Sequence, residues 1–135
     1  MGLGDIISNL FGKGNETRTS EPVVEELGTN LYEINTAAFE SEVVSSGMPV
    51  VVDCFTKTCP PCKKMAPIFE KVAAEYDGKI KFVKVNLKNS PEIGKQFKII
   101  GVPTLLFFRG GEMITNVVGF AEEEKLKEKL ETLLE

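Results

Sequence analysis

The stretch VVVDCFTKTCPPCKKMAPIFEKVAAEY, residues 50–76, decides the fold. It opens with VVVDCF, an apolar, β-branched run short enough to be a strand buried on both faces. It then runs into a helix from about residue 61 to 77, which carries Met65, Ile68, Phe69 and Val72 on one side and ends at Gly78. Between the two stands Cys59-Pro60-Pro61-Cys62, so a pair of sulfurs sits where a buried strand turns into a helix. Such a pair can be half of a zinc site, a structural disulfide or a redox switch.

A zinc site needs four ligands, and Cys54, Cys59 and Cys62 are all the sulfur in a chain that has no histidine. That speaks against metal within one chain, the escape being a metal shared between two chains. Three unevenly spaced cysteines also do not make a disulfide-stapled fold. The redox reading gains from position. A thiolate at a helix N-terminus meets unpaired N–H groups and the positive end of the helix dipole, and Lys57, Lys63 and Lys64 add positive charge that lowers a thiol pKa. Cys59 is therefore expected to be the nucleophile. Cys62, one turn further in and more shielded, is expected to be the resolving thiol that closes Cys59–Cys62.

Asp53 interrupts the apolar run, where a carboxylate is costly unless protonated or paired. With no histidine to serve, it is the candidate base that accepts the proton of Cys62, directly or through a water. The competing reading is a surface aspartate at the strand end. Cys54 points to the opposite face of the strand from Asp53, as a buried small hydrophobe or, alternatively, a regulatory thiol.

Working outward, 135 residues with 42% hydrophobic content suit one globular domain. The net charge of −4, with no basic stripe, gives nucleic-acid binding no support. No run of about 18 apolar residues is present, so no transmembrane segment is expected. The start shows neither a signal-peptide pattern nor a myristoylation pattern, where Ile6 stands in place of Ser or Thr. These features place the protein in the cytoplasm, although an exported form already trimmed of its signal would read the same way.

Leu3, Ile6, Ile7, Leu10 and Phe11 fall at the spacing of a short amphipathic helix, which would dock on the body, bind a partner or surface, or fray. Residues 13–22 read as a polar linker. Residues 1–29 are thus expected to be an extension and 30–135 the domain. In that domain LYEI reads as a strand, and Asn35 or Thr36 caps a helix over AAFESEVVSS. After the central strand and helix come the strand KIKFVKVNL, a short helix PEIGKQF, and the strands TLLFF and MITNVV, which are joined by a hairpin at Gly110-Gly111. A helix over AEEEKLKEKLETLLE closes the chain. The order predicts an α/β fold: a mixed sheet of about five strands, flanked by helices on both faces.

VVDCF, CPPCKKMAP, VKVN, GVPTLLFFRGGE and VVGF together resemble the thioredoxin family over residues from about Leu31 to Leu134. The resemblance implies a thioredoxin fold and a protein-disulfide reductase. It makes Asp53 the buried proton acceptor with Lys84 beside it, and has Pro67 bend the active-site helix. Val102–Pro103 would be a cis bond facing the cysteines, as Gly-Val-Pro-Thr before a strand also suggests. A target disulfide would lie along the backbone of Val102 and Thr104, and Gly119 would help line its groove. The implied partners are protein disulfides and a thioredoxin reductase or equivalent electron donor. No bound cofactor is implied, and a monomer is expected.

Most thioredoxins carry Trp-Cys-Gly-Pro-Cys. This chain has Thr58, Pro60 and Pro61 around its cysteines and contains no tryptophan. These three residues are expected to border the substrate groove and to alter what it accepts. Neither proline has an N–H, so the first backbone donor after Cys59 is the amide of Cys62. Two other readings stand beside the reductase: a disulfide oxidase or isomerase, and a binding or scaffold module that uses the N-terminal extension.

Overall fold

The computed structural model describes residues 21–135. The amphipathic stretch read over residues 3–11 lies outside them, as does most of the linker. The described chain forms β1 (Val24–Gly28), β2 (Leu31–Ile34), α1 (Thr36–Phe39), β3 (Val50–Phe55), α2 (Pro60–Glu75), β4 (Lys81–Asn86), α3 (Pro91–Gln96), β5 (Thr104–Arg109), β6 (Glu112–Val118) and α4 (Glu123–Leu133). The six strands make one sheet in the order β1-β2-β4-β3-β5-β6. β2 and β3 run parallel to β4, whereas β1–β2, β3–β5 and β5–β6 are antiparallel. The sheet is therefore mixed, as the element order predicts.

β3 lies inside the sheet and is buried along its whole length, which is why its sequence shows no alternation. Its residues still divide between two faces. Val51 joins Met65, Phe69 and Val72 of α2 and Leu126, Leu130 and Leu133 of α4 in one core. Val50, Val52 and Cys54 join Phe39 of α1 and Ile93 of α3 in the other. Phe69 anchors α2: it is fully buried, and its ring centroid lies 4.9 Å from that of Phe82 on β4. Phe69→Ala is expected to cost about 3–5 kcal/mol, read as a lowered urea midpoint at unchanged m-value. A loss below about 1 kcal/mol would show that the site collapses around the cavity.

Two elements differ from expectation. β1, absent from the sequence reading, adds a sixth strand within the stretch read as an extension. Its burial is slight and does not alternate, so nothing in its own pattern announces a strand. Tertiary pairing makes it. The Asn35 side chain accepts from Val23 N at 2.9 Å and donates to Glu21 O at 2.8 Å, while also capping α1 through Ala38 N at 3.2 Å. The helix read over AAFESEVVSS begins as α1 and then widens into a π-helical turn over Glu40–Val44, closed by Ser45 N to Glu40 O at 2.9 Å. This turn puts Val43 into the core beside Phe39. It also brings Val44 against the β5–β6 hairpin, where a Cβ on Gly111 would meet the Val44 carbonyl oxygen at 3.0 Å. Gly110 and Gly111 both take positive φ, 63° and 84°, as the tight hairpin requires.

Candidate active site

The start of α2 is built from the four residues CPPC. Cys59 is the N-cap, in extended conformation, with Pro60 and Pro61 in the first turn, where a missing N–H costs no helical hydrogen bond. The first amide available is that of Cys62, which donates to Cys59 Sγ at 3.1 Å. The next, Lys63 N, donates to the Cys59 carbonyl at 3.1 Å. The sulfur at position 59 thus takes the capping place that an oxygen occupies in an ordinary N-cap.

Cys59 and Cys62 are joined as a disulfide, with Cα atoms 5.2 Å apart. The difference in shielding expected between them is small: they are 7% and 5% exposed. Phe55 at the end of β3 and Val102 of the loop before β5 pack against both. On reduction, the sulfur of Cys59 is left beside the Cys62 amide, which favours its thiolate.

Val102–Pro103 is cis, and the Val102 carbonyl oxygen lies 3.6 Å from Cys59 Sγ. Two hydrogen bonds hold this loop. Thr104 Oγ1 donates to Gly101 O at 2.6 Å, and Gly119 N donates to Pro103 O at 2.7 Å. Gly119 has φ +94°, a conformation that a side chain would strain. Thr104 is buried and sits in register between Cys54 and Val118, and Val102 is the loop residue that packs on the redox pair. Thr58, Pro60 and Pro61 are exposed around it.

Asp53 is in the middle of β3, 1% exposed, which removes the reading of a surface aspartate. Neither carboxylate oxygen has a hydrogen-bond partner. Burial raises its pKa from an ordinary 3.8 to about 7, against a smaller opposing pull from the charge of Lys84. Lys84 is its register neighbour on β4. The Lys84 ammonium lies 4.6 Å from the centroid of the Phe55 ring, within cation–π range. Lys84 and Cys62 line one hollow of about 320 Å³, together with Phe55 and Lys57. Cys62 and Lys84 thus border the same hollow, and Asp53 is the register neighbour of that lysine.

Cys54 is fully buried on the opposite face, in the core with Phe39 and Ile93. Burial, and next the charge of Asp53, push its thiol pKa up, which makes it an inert core residue. Among the described residues, no group of three or more histidine, cysteine, aspartate or glutamate side chains could hold a metal ion. None of the described helices is long and apolar enough to cross a membrane.

Two residues near the site escaped the sequence reading. Ile100, two residues before Val102, is 91% exposed. Its neighbour Ile99 packs into the core, so the doublet Ile99-Ile100 before Gly101 was the available signal: an extended loop can bury only one of the two. Glu33 lies in β2 opposite Lys84, and its only signal was a charged residue within the strand LYEI.

A family model described as thioredoxin matches residues 30–132. The chain is 38% identical to thioredoxin 1 of Nostoc sp. over 99 residues, which is 73% of this chain and 92% of that protein. It is 35% identical to a thioredoxin of Synechocystis sp. over 102 residues, covering 76% and 95% of the two chains. A chloroplastic M-type thioredoxin of Pisum sativum is 39% identical over 98 residues, 73% of this chain and 57% of the other.

Proposed function

Because the chain belongs to the thioredoxin family of thiol–disulfide oxidoreductases, which reduce protein disulfides through a C-x-x-C pair, we propose a cycle in which Cys59 attacks and Cys62 resolves. The Cys59 thiolate attacks one sulfur of a client disulfide. The client's other sulfur leaves as a thiolate and takes a proton. Asp53, as carboxylate, accepts the proton of Cys62, whose thiolate then attacks Cys59 Sγ and expels the client's remaining sulfur. Two electrons pass from the dithiol to the client, and Cys59–Cys62 is left as a disulfide. A reductase returns two electrons to it.

The observation that carries this reading is the placing of Cys59 Sγ between the Cys62 amide and the Val102 carbonyl, at 3.1 and 3.6 Å. The client's chain would run past Val102 and cis-Pro103, bordered by Thr58, Pro60, Pro61 and Gly119, with the Thr104 side chain holding the loop in shape. Lys84 tempers the proton affinity of Asp53. We place the protein in the reducing cytoplasm as a monomer. Residues 30–135 form its catalytic domain, and 1–29 an extension whose last residues supply β1.

With dithiothreitol as donor, the protein is expected to accelerate insulin reduction, followed as turbidity, and to lose that activity when the reduced form is alkylated before assay. Absence of acceleration, or activity that survives alkylation, would overturn the reading.

A further inference from the structure

A row of side chains crosses the sheet at the level of Asp53. In register from the edge inward stand Glu25 on β1, Glu33 on β2, Lys84 on β4, Asp53 on β3 and Leu105 on β5. Residues paired in this way share one face of the sheet. Lys84 therefore has a carboxylate on each side: buried Asp53 on one strand and half-buried Glu33 on the other.

We propose that Glu33 is a positioning residue for the exchange reaction, one that divides the charge of Lys84 with Asp53 and thereby holds the buried acid in a proton-binding state near neutral pH. The inference rests on the reading of Asp53 as proton acceptor and extends it to a residue outside the redox pocket.

The Lys84 ammonium favours the ionised form of both neighbours. A negative charge on Glu33 offsets that field at Asp53 and repels the Asp53 carboxylate directly. Both effects favour protonated Asp53. The other charged groups are accounted for. Glu25 opposes the ionisation of Glu33 from the edge strand, and Lys57, in the turn after β3, supports it. From α2, Cys62 and Lys63 share the hollow with Lys84. β5 contributes only Leu105 to the row. Glu33 itself has a raised pKa, first from burial, and it lies about 10 Å from Asp53, two strand spacings away. At an effective dielectric near 20, one charge at that distance moves a neighbour's midpoint by roughly one pH unit, and by less after salt screening.

The test is a carboxyl titration of Asp53 by carbon NMR in the full chain, run beside the pH profile of the step that resolves the mixed disulfide. Glu33→Gln is expected to lower the Asp53 midpoint by about half a unit to one unit and to move the acid limb of the profile by the same amount. The variant then outruns the unmodified protein at pH 6 and matches it at pH 8. Glu33→Asp should restore the midpoint, and Glu25→Gln should move it less. If Glu33→Gln slows the reaction equally at every pH and leaves the Asp53 midpoint in place, β2 is merely a structural support and the proposal fails. Asp53→Asn tests the underlying reading separately: an acid limb that survives this substitution removes Asp53 as proton acceptor, whatever Glu33 does to its titration.

Discussion

Cys59→Ser is expected to reduce insulin no faster than dithiothreitol alone, whereas Cys62→Ser should complete the first half of the cycle and stop there. The difference follows from which sulfur the client meets. Cys59 Sγ is the atom facing both the Cys62 amide and the Val102 carbonyl, and a serine hydroxyl in its place neither ionises near neutral pH nor forms a bond that exchanges. In the proposed cycle Cys62 attacks no client; its target is the mixed disulfide on Cys59, so without its sulfur the covalent complex would persist until an external thiol cleaves it. Non-reducing electrophoresis of Cys62→Ser after incubation with cell extract should show slower bands that dithiothreitol abolishes, and mass spectrometry of those bands names the clients. Full reductase activity in Cys59→Ser would overturn the assignment of nucleophile.

Asp53→Asn is expected to stabilise the protein above pH 7 and to leave it nearly unchanged at pH 4. The native state holds this acid at about 7 against an ordinary 3.8. In the unfolded chain the carboxyl ionises freely above its ordinary value, while in the folded chain ionisation must be forced onto a group with no hydrogen-bond partner. Stability from this position is therefore fully present below about pH 4, falls as pH rises toward 7, and stays low above it. The cost at pH 8 is on the order of 4 kcal/mol, and asparagine removes the ionisation. Urea unfolding of both proteins at pH 4, 6 and 8 should show the gap opening with pH. A gap that is constant with pH, or largest in acid, would show that Asp53 is ionised without penalty. A costly buried carboxyl at this position is what the proposed role of proton acceptor would require.

Much of this site was legible in the chain. VVVDCF reads as a buried strand because both of its faces are apolar, and Asp53 stands out because that strand offers a charge nothing. Cys59 reads as a helix start because it stands between that buried strand and the helical spacing of Met65, Ile68, Phe69 and Val72. β1 was not legible. Its residues are mostly exposed, and it exists through pairing with β2, with the residues just before it held by two hydrogen bonds of the Asn35 side chain, to Val23 N and Glu21 O. Ile100 and Glu33 were missed for a related reason. Each is an ordinary residue for its local pattern; Ile100 is left exposed because Ile99 takes the core, and Glu33 is set beside Lys84 across the sheet.

By itself, then, the sequence determined the order of elements from β2 onward, the cysteine pair at a helix start, and the acid buried in the strand before it, because apolar patterning is a local property. Tertiary structure decided the rest. It set Val102 against Cys59 across 43 residues of chain and placed Lys84 between two carboxylates carried by different strands. Charges act through space and not along the chain, so the proton affinity of Asp53 became readable only when β2, β4 and β3 lay side by side.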